Sequence, residues 1–528
     1  MSLTLVTPVK IRIDVAPEIL DRLRENLAYT DERLNHSIKM WKNILDQDVK
    51  WEKGGKKWSR HWFFNKNSRS DLVQKISDLK DQQSKTLLFE DKEGYWTYSG
   101  IASVLETICG EKVVVSYPLP EYGVIPWATP PARSPRWYQS KATELFAPAV
   151  PTALPKAVEL ATGLGKTFIE ILVTKEIGLP TVVVTPTLNI AENTIRDFIL
   201  HFGKGKVGQF FDGKKQSDKL ITVAVAKSLS LVKPGDEHYD NLRAKKLLIV
   251  DESHTCPPDE LQSVTMGLME MVPYRGFVSG TQMRTDGLSP LLQAITGDVL
   301  LRMSVKDGVE QGFLSPPNFY QFTIDSNERN EIKEITPTGK EKIKKISSKD
   351  VMNLTRIHVH RNPLIYKHAV KLIHSAVAKG RRALVLVDEI FQFQWLLDHG
   401  LNIKAMFAHG GVTKDNKHLV PKEHHKSDTY DLIQRFDDGE FPVLVGTSCI
   451  GMGSDIKSVS LIVDLFGNCS ETRIQQGVGR GTRLFENKKD FVYACYCVKN
   501  VLPLYNQGRA HREVLDDIYG PVKVMEAK

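Results

Sequence analysis

The chain has 528 residues, 41% of them hydrophobic and 25% charged, with a net charge of +8. That length exceeds what one hydrophobic core accommodates and predicts about three domains. The ordinary composition argues against fibrous, disordered and membrane-spanning classes, and the mild basic excess permits a polyanionic partner without requiring one. The six cysteines (Cys109, Cys256, Cys449, Cys469, Cys495, Cys497) are scattered and form no CxxC pair. A reducing interior is the economical reading, and MSLTLVTPVKIRID lacks the pattern of a signal peptide.

Residues 1–130 read as a separate, small α+β domain. VKIRIDV alternates as a half-buried strand does, and PEILDRLRENLAYT follows as a helix with proline at its start. EGYWTYSG predicts a strand, IASVLETICG a helix ended by glycine, and EKVVVSYP another strand. The odd segment is 51–69, WEKGGKKWSRHWFFNKNSR. It carries Lys53, Lys56, Lys57, Arg60, Lys66 and Arg69 against the single acid Glu52, with Trp51, Trp58, Trp62, Phe63 and Phe64 interleaved. Cations neutralise phosphates and aromatic faces stack on bases, which makes Lys56, Lys57, Trp58 and Arg60 candidate nucleic-acid contacts. A hairpin with core aromatics and solvated lysines accounts for the same residues equally well.

A proline-rich connector, PLPEYGVIPWATPPARSP, reads as an extended spacer. Arg136-Trp137-Tyr138-Gln139 then opens a helix, and a glutamine amide can match both the donor and the acceptor of an adenine edge. Next, AVELATGLGKT runs from a strand into a glycine-bearing turn, and the helix FIEILVTKEIG follows. Strand, turn and helix N-terminus together make an anion site, with backbone N–H groups converging and the helix dipole favouring negative charge. Lys166 would reach the outer phosphates, and the Thr167 hydroxyl would ligate Mg²⁺. The general P-loop pattern has glycine six residues before the lysine, where this chain has Leu160.

KAVELA, TVVVTPT, LITVAVA, KKLLIVDE and GFVSGT alternate with helical stretches, which predicts a doubly wound parallel sheet. LLIVDESH delivers Asp251 and Glu252 at the carboxyl end of a buried strand, where open α/β sheets bind ligands. Asp251 can hold Mg²⁺, and Glu252 can orient and deprotonate an attacking water. Ser253 and His254 are placed to meet the next strand end, Ser279-Gly280-Thr281.

A second set of strands begins near 360 with RALVLVDE, IKAMFAH, FPVLVGT, VSLIVDLF and FVYACYC. The polar, lysine-rich bridge 323–350 reads as a flexible or inserted segment. TSCIGMGSD at 447–455 follows a strand, and QQGVGRGTR at 475–483 places Arg480 and Arg483 three apart on a short helix, suited to a γ-phosphate. His418, His424 and His425 sit among lysines without spaced partners and read as an exposed loop. Cys495 and Cys497 alternate on a buried strand, and LPLYNQGRAHREVLDDIYG is an amphipathic helix.

ATGLGKT, VVTPTLNIAENT, DESH, SGT, TSCIGMGSD and QQGVGRGTR occur in the order of motifs I, Ia, II, III, V and VI of the superfamily 2 helicases, and the chain resembles that family over roughly residues 135–500. The resemblance implies two tandem RecA-like domains with doubly wound parallel sheets, 131–315 and 316–528, clamping ATP between them. By motif position it implies that Arg136 and Gln139 hold the adenine, and that Ala161, Thr162, Gly163, Leu164, Gly165, Lys166 and Thr167 cradle the phosphates and Mg²⁺. Asp251 and Glu252 would bind metal and activate water, Arg480 and Arg483 would be arginine fingers, and Gly453, Asp455 and Gln476 would line the cleft. Pro186, Thr187, Ser228 and Thr447 fall where the family contacts the nucleic-acid backbone.

The architecture is most similar to phage recombination and repair helicases of the UvsW type, with Arg361-Asn362 opening the second lobe. Arg284 after SGT fits the RecG-like and XPB-like branch. DESH and SGT stand where some relatives have DECH and SAT. The implied activity is ATP-dependent unwinding, annealing or branch migration of duplex, forked or junction DNA, with single-stranded DNA as a further substrate. The motor is expected to be monomeric and cytoplasmic, in the host's cytoplasm if the chain is viral. An RNA helicase is the alternative, and a non-hydrolysing nucleic-acid scaffold the second.

Overall fold

A computed structural model describes every residue except 1, 47–49, 54–55, 60–68, 255–257, 283, 285, 336–340, 412–416, 426–427, 448–449, 451–455, 468–469, 487 and 528. The residues form two compact units, one of Met1–Glu159 with Thr167–Arg302 and one of Leu160–Lys166 with Met303–Lys528.

The first unit opens with β1 (Ser2–Thr7), β2 (Lys10–Asp14), β3 (Ala28–Thr30), β4 (Lys50–Lys53), β5 (Lys56–Ser59), β6 (Ser84–Thr86), β7 (Phe89–Asp91), β8 (Gly94–Tyr98) and β9 (Val113–Val115). Five of these form a mixed sheet in the order β7-β8-β2-β1-β9. Alternation buries Leu3, Leu5, Ile11 and Ile13 on one face, where they join Leu23 of helix Pro17–Asn26 and Leu105 of helix Ala102–Cys109. That cluster runs on without a break into Ala157, Val182, Val250 and Phe277 of the sheet that follows and Ile295 of the helix Ser289–Thr296. The module expected at 1–130 therefore shares its core with its neighbour.

Between β3 and β6, which pair antiparallel, lie helices Asn35–Asp46 and Arg69–Gln83. Leu34, Ile38 and Trp41 on one side and Leu72, Ile76 and Leu79 on the other recur at spacings of three and four, the stripe of an amphipathic helix. They form a small cluster of their own. The antiparallel pair β4–β5 sits between the helices in sequence, with Trp51 opposite Trp58.

The first parallel sheet comprises β10 (Lys156–Leu160), β11 (Thr181–Thr185), β12 (Val207–Phe210), β13 (Ile221–Val225), β14 (Leu247–Asp251), β15 (Tyr274–Ser279) and β16 (Val299–Met303), in the order β12-β13-β11-β14-β15-β10-β16. All residues of β11, β14 and β15 are buried, as strands covered on both faces must be. The connector after β9 is tied to this sheet's helices. Gly123 N–H donates to Ile177 and Ala128 N–H to His201, while Trp127 stacks on Phe202.

The second unit holds β17 (Pro317–Ile324), β18 (Glu331–Ile335), β19 (Glu341–Lys345), β20 (Arg382–Leu386), β21 (Ala405–Ala408), β22 (Val443–Gly446), β23 (Val459–Asp464), β24 (Phe491–Val498) and β25 (Lys523–Glu526). Seven form a sheet in the order β21-β22-β20-β23-β24-β17-β25, with each ladder parallel. The fold is thus two α/β domains with seven-stranded, doubly wound parallel sheets and a small α+β module before them. Of the two alternatives for the bridge 323–350, the described residues fit an inserted segment. It completes β17 and then forms the antiparallel hairpin β18–β19, because Ile332 packs against the second core and anchors the ribbon.

Candidate active site

In the first unit the carboxyl ends of adjacent parallel strands carry the motif residues. β14 ends at Asp251, whose side chain is 4% exposed, with Oδ1 accepting the Glu252 N–H at 2.8 Å. Glu252 has φ of +46°, a left-handed conformation rare for a residue with a Cβ and a form of strain that clusters at functional sites. Its Oε2 accepts the Gly280 N–H at 3.3 Å and lies 3.6 Å from His254 Nδ1. His254 Nδ1 also bonds the Ser279 hydroxyl at the end of β15. Ser253 Oγ donates to Gln282 Oε1 at 3.3 Å, and Gln282 N–H donates to Glu159 Oε2 at 3.1 Å. The ends of β10, β14 and β15 are therefore stitched together around Glu252.

Pro186 and Thr187 follow β11, and Ser228 follows β13 on the short helix Ala226–Ser230. These strands are parallel neighbours, so the three residues stand along the same carboxyl edge as Asp251. Gln139 is buried in helix Trp137–Phe146, where its Oε1 accepts the Arg136 N–H at 3.0 Å. That oxygen is committed to the helix N-terminus.

Thr167 lies in the first turn of helix Lys166–Ile177. Before it, in the second unit, is the loop 160–166. Gly163 and Gly165 have φ of +94° and +78°, values that require glycine and turn successive N–H groups toward one side. Ala161 N–H donates to Met303 and Leu164 N–H to Ala161, fixing the loop at both ends. Leu160 is the last residue of β10, fully buried and without a positive φ. A leucine fits there because the turn needs its glycines only further on. Lys166 is 9% exposed.

In the same unit the end of helix Glu471–Gly481 meets this loop. A Cβ on Gly479 would come within 2.7 Å of Thr162, and Thr482 Oγ1 lies 3.4 Å from the Thr162 carbonyl. Arg480 is buried in the last turn, and Gln476 is half-buried one turn earlier. Arg483 differs from expectation: it lies past the helix end, because Gly481 and Thr482 close the helix before it. Thr447 is buried directly after β22.

Gly453, Asp455 and Arg60 lie outside the described residues. Lys56, Lys57 and Trp58 are placed on β5 by backbone alone. His424 is buried and its carbonyl accepts from His409 Nε2 at 2.6 Å, so this stretch is in part interior.

Lys488 escaped the sequence reading, and Arg284 was read only for its place after SGT. Lys488 Nζ donates to the carbonyls of Gly481 at 2.6 Å and Arg483 at 2.8 Å, holding the chain that carries both arginines. Burial first, and the neighbouring Arg483 second, push its ammonium down to about 7. Arg284 donates from Nη1 to the His254 carbonyl at 2.5 Å and grips Asp286 through Nε and Nη2 at 3.0 and 2.7 Å. That grip holds the Asp286 carboxyl below the usual carboxylate range.

Residues 133–273 match the type III restriction enzyme res subunit family, and residues 365–484 match the helicase conserved C-terminal domain family. The chain is 23% identical over 352 residues to the DNA 3'-5' translocase XPB2 of Sulfurisphaera tokodaii, a match covering 63% of this chain and 75% of that protein. The crystal structure of T4 UvsW aligns over 100% of both chains at 12% identity, with a TM-score of 0.41. A fragment from Vibrio vulnificus YJ016 assigned to the HsdR subunit of a type I restriction enzyme aligns over 94% of this chain and 84% of its own, at 15% identity and a TM-score of 0.50. The two matched domains occur in order, each on one of the two parallel seven-stranded sheets, the arrangement that the resemblance to superfamily 2 helicases implies.

Proposed function

We propose that the chain is an ATP-dependent DNA helicase or translocase acting on duplex or branched DNA, in recombination, repair or replication. The observation that carries the chemistry is the carboxyl edge of the first parallel sheet, where a buried Asp251 and a strained Glu252 are stitched to the ends of β10 and β15. The DNA assignment is supported by the DNA translocase among its relatives.

In this reading 131–315 binds nucleotide, 316–528 is the second motor domain and 1–130 engages nucleic acid. The loop 161–167 receives the ATP phosphates on its backbone N–H groups, with Lys166 on the outer ones, and Arg136 and Gln139 hold the base. The donor set fits Mg²⁺: the Thr167 hydroxyl and the Asp251 carboxylate are hard oxygen ligands, and Asp251 stands at the carboxyl end of a parallel strand, the edge at which such sheets bind ligands. When bound, the ion neutralises charge on the phosphates. Glu252 orients the attacking water and accepts its proton. Arg480 and Arg483 supply positive charge to the phosphate that leaves, and Gly453, Asp455 and Gln476 line the nucleotide.

Interactions that exist only while the γ-phosphate is present make hydrolysis a change in conformational preference, which a strand held at Pro186, Thr187, Ser228 and Thr447 converts into stepping. Buried thiols at Cys109, Cys495 and Cys497 suit a reducing cytoplasm, and among the described residues no helix is long and apolar enough to cross a membrane. The test is ATP turnover in the presence of duplex, forked, four-way-junction and single-stranded DNA and of RNA. Stimulation by duplex or branched DNA above RNA is expected; stimulation by RNA alone would replace this reading with an RNA helicase.

A further inference from the structure

A continuous line of interactions joins Glu252 to the helical pair of the N-terminal module, entirely within the first unit. Glu252 Oε2 faces His254, and the His254 carbonyl accepts Arg284 Nη1. Arg284 holds Asp286 with two further nitrogens, and the Asp286 carbonyl accepts the Glu32 N–H at 2.9 Å. Beside it Gly287 has φ of +78°, and a Cβ there would lie 2.3 Å from the Thr30 carbonyl oxygen. Backbone presses on backbone at a point that admits only glycine.

The other side of this junction is the root of both helices. Asp31 caps the 3-10 turn Glu32–Leu34, from which helix Asn35–Asp46 continues directly. Asp31 N–H donates at 2.8 Å to Gln83, the last residue of helix Arg69–Gln83. Among the described residues, the buried members of the cluster that the helices share are Ile38, Leu72 and Ile76. A fifteen-residue helix such as the second is about 22 Å long, so it acts as a lever on that root. The rest of the module is fixed to the first sheet's helices, through Gln262 Nε2 on the Tyr98 hydroxyl at 2.7 Å and Gly100 pressed on the Ala294 carbonyl. The root is therefore a pivot on a fixed base.

We propose that Arg284 and Asp286 are positioning residues through which nucleic acid bound on this helical arm sets the rate at Glu252, the Glu32 N–H being the group that transmits it. The inference rests on the helicase reading, in which 1–130 engages nucleic acid. Displacing the Glu32 backbone moves the Asp286 carbonyl, turns the two-pronged Arg284 grip and shifts the His254 carbonyl. His254 and Glu252 are adjacent in the same turn, and misplacement of a catalytic group by about 1 Å can cost about 10²-fold in rate. Arg284 acts through His254 rather than on substrate.

The test removes a single hydrogen-bond donor. Glu32 is the first residue of its turn, where proline is tolerated, and Asp31 at φ −81°, ψ 100° has the extended backbone that precedes proline readily. Glu32→Pro deletes the N–H donor, whereas Glu32→Ala deletes the side chain and keeps the donor. In the full chain, ATP turnover is measured with and without a forked DNA duplex, together with affinity for that fork and thermal unfolding.

Glu32→Pro is expected to keep basal turnover, KM for ATP and fork affinity, while the fork's stimulation of kcat falls by about fivefold or more. Glu32→Ala is expected to keep wild-type stimulation. Glu32→Pro with full stimulation overturns the proposal, as does an equal fall in Glu32→Ala. Should Glu32→Pro fail to fold, Arg284→Lys, which keeps the charge and removes the two-pronged grip, reads the same fall in stimulation, and full stimulation there overturns it equally. A wild-type chain that no nucleic acid stimulates would instead overturn the helicase reading underneath.

Discussion

Replacing Gly163 by alanine tests whether the loop 161–167 binds nucleotide through its backbone. Gly163 has φ of +94°, and the new Cβ would stand 3.0 Å from Leu314 Cδ2 and 3.1 Å from Thr482 Oγ1. A left-handed conformation costs a non-glycine residue about 1–2 kcal/mol, and both neighbours must also give way by a few tenths of an ångström. The loop relieves that strain by leaving the left-handed region, which turns the following N–H away from the phosphates. If the strain falls on the nucleotide-bound loop, about 1.4–2 kcal/mol corresponds to a 10- to 30-fold rise in Kd and KM for ATP.

Gly213 supplies the control, with φ of +74° and no atom within 4 Å of the position a Cβ would take. Gly213→Ala carries comparable backbone strain in the turn after β12 and is expected to lower thermal stability while leaving KM for ATP unchanged. The assays are ATP titration and steady-state turnover on both variants. A KM in Gly163→Ala within twofold of wild type, or an equal rise in Gly213→Ala, would refute a backbone-built phosphate site.

Arg480→Ala is expected to lower kcat by about 10³-fold with KM for ATP changed only a few-fold, since an arginine finger acts mainly on the transition state; single-turnover hydrolysis reads it. Combining Lys56→Ala, Lys57→Ala and Trp58→Ala should weaken binding to branched DNA and flatten its dependence on log salt by roughly two, about one unit for each phosphate that no lysine neutralises any longer. Folding should stay intact by circular dichroism, and affinity unchanged across the salt titration would remove the segment from the interface.

The motor's strands were legible because parallel strands covered on both faces are written as unbroken apolar runs, as in TVVVT and LLIVD. Asp251 and Glu252 were legible because they interrupt such a run at its end. Strands that lack that signature did not stand out. β17 opens on proline and alternates, and β25 is four exposed residues at a sheet edge. Arg284 stood out only for its place after SGT; Asp286 lies in TQMRTDG, which has no periodicity, and its partner Glu32 belongs to the N-terminal module, far away in sequence. Arg483 was placed on its helix by spacing alone, while the helix ends at Gly481. Local pattern carries the sheets; the hydrogen bonds that tie site to module are long-range, and no window of sequence contains both ends.

The most direct test of the central claim is ATP hydrolysis by Lys166→Ala in the presence of forked DNA, measured beside its retention of that DNA. With Lys166 directly following the glycine turn, the account requires turnover to vanish while DNA binding remains measurable. Turnover at the wild-type rate in Lys166→Ala would contradict it.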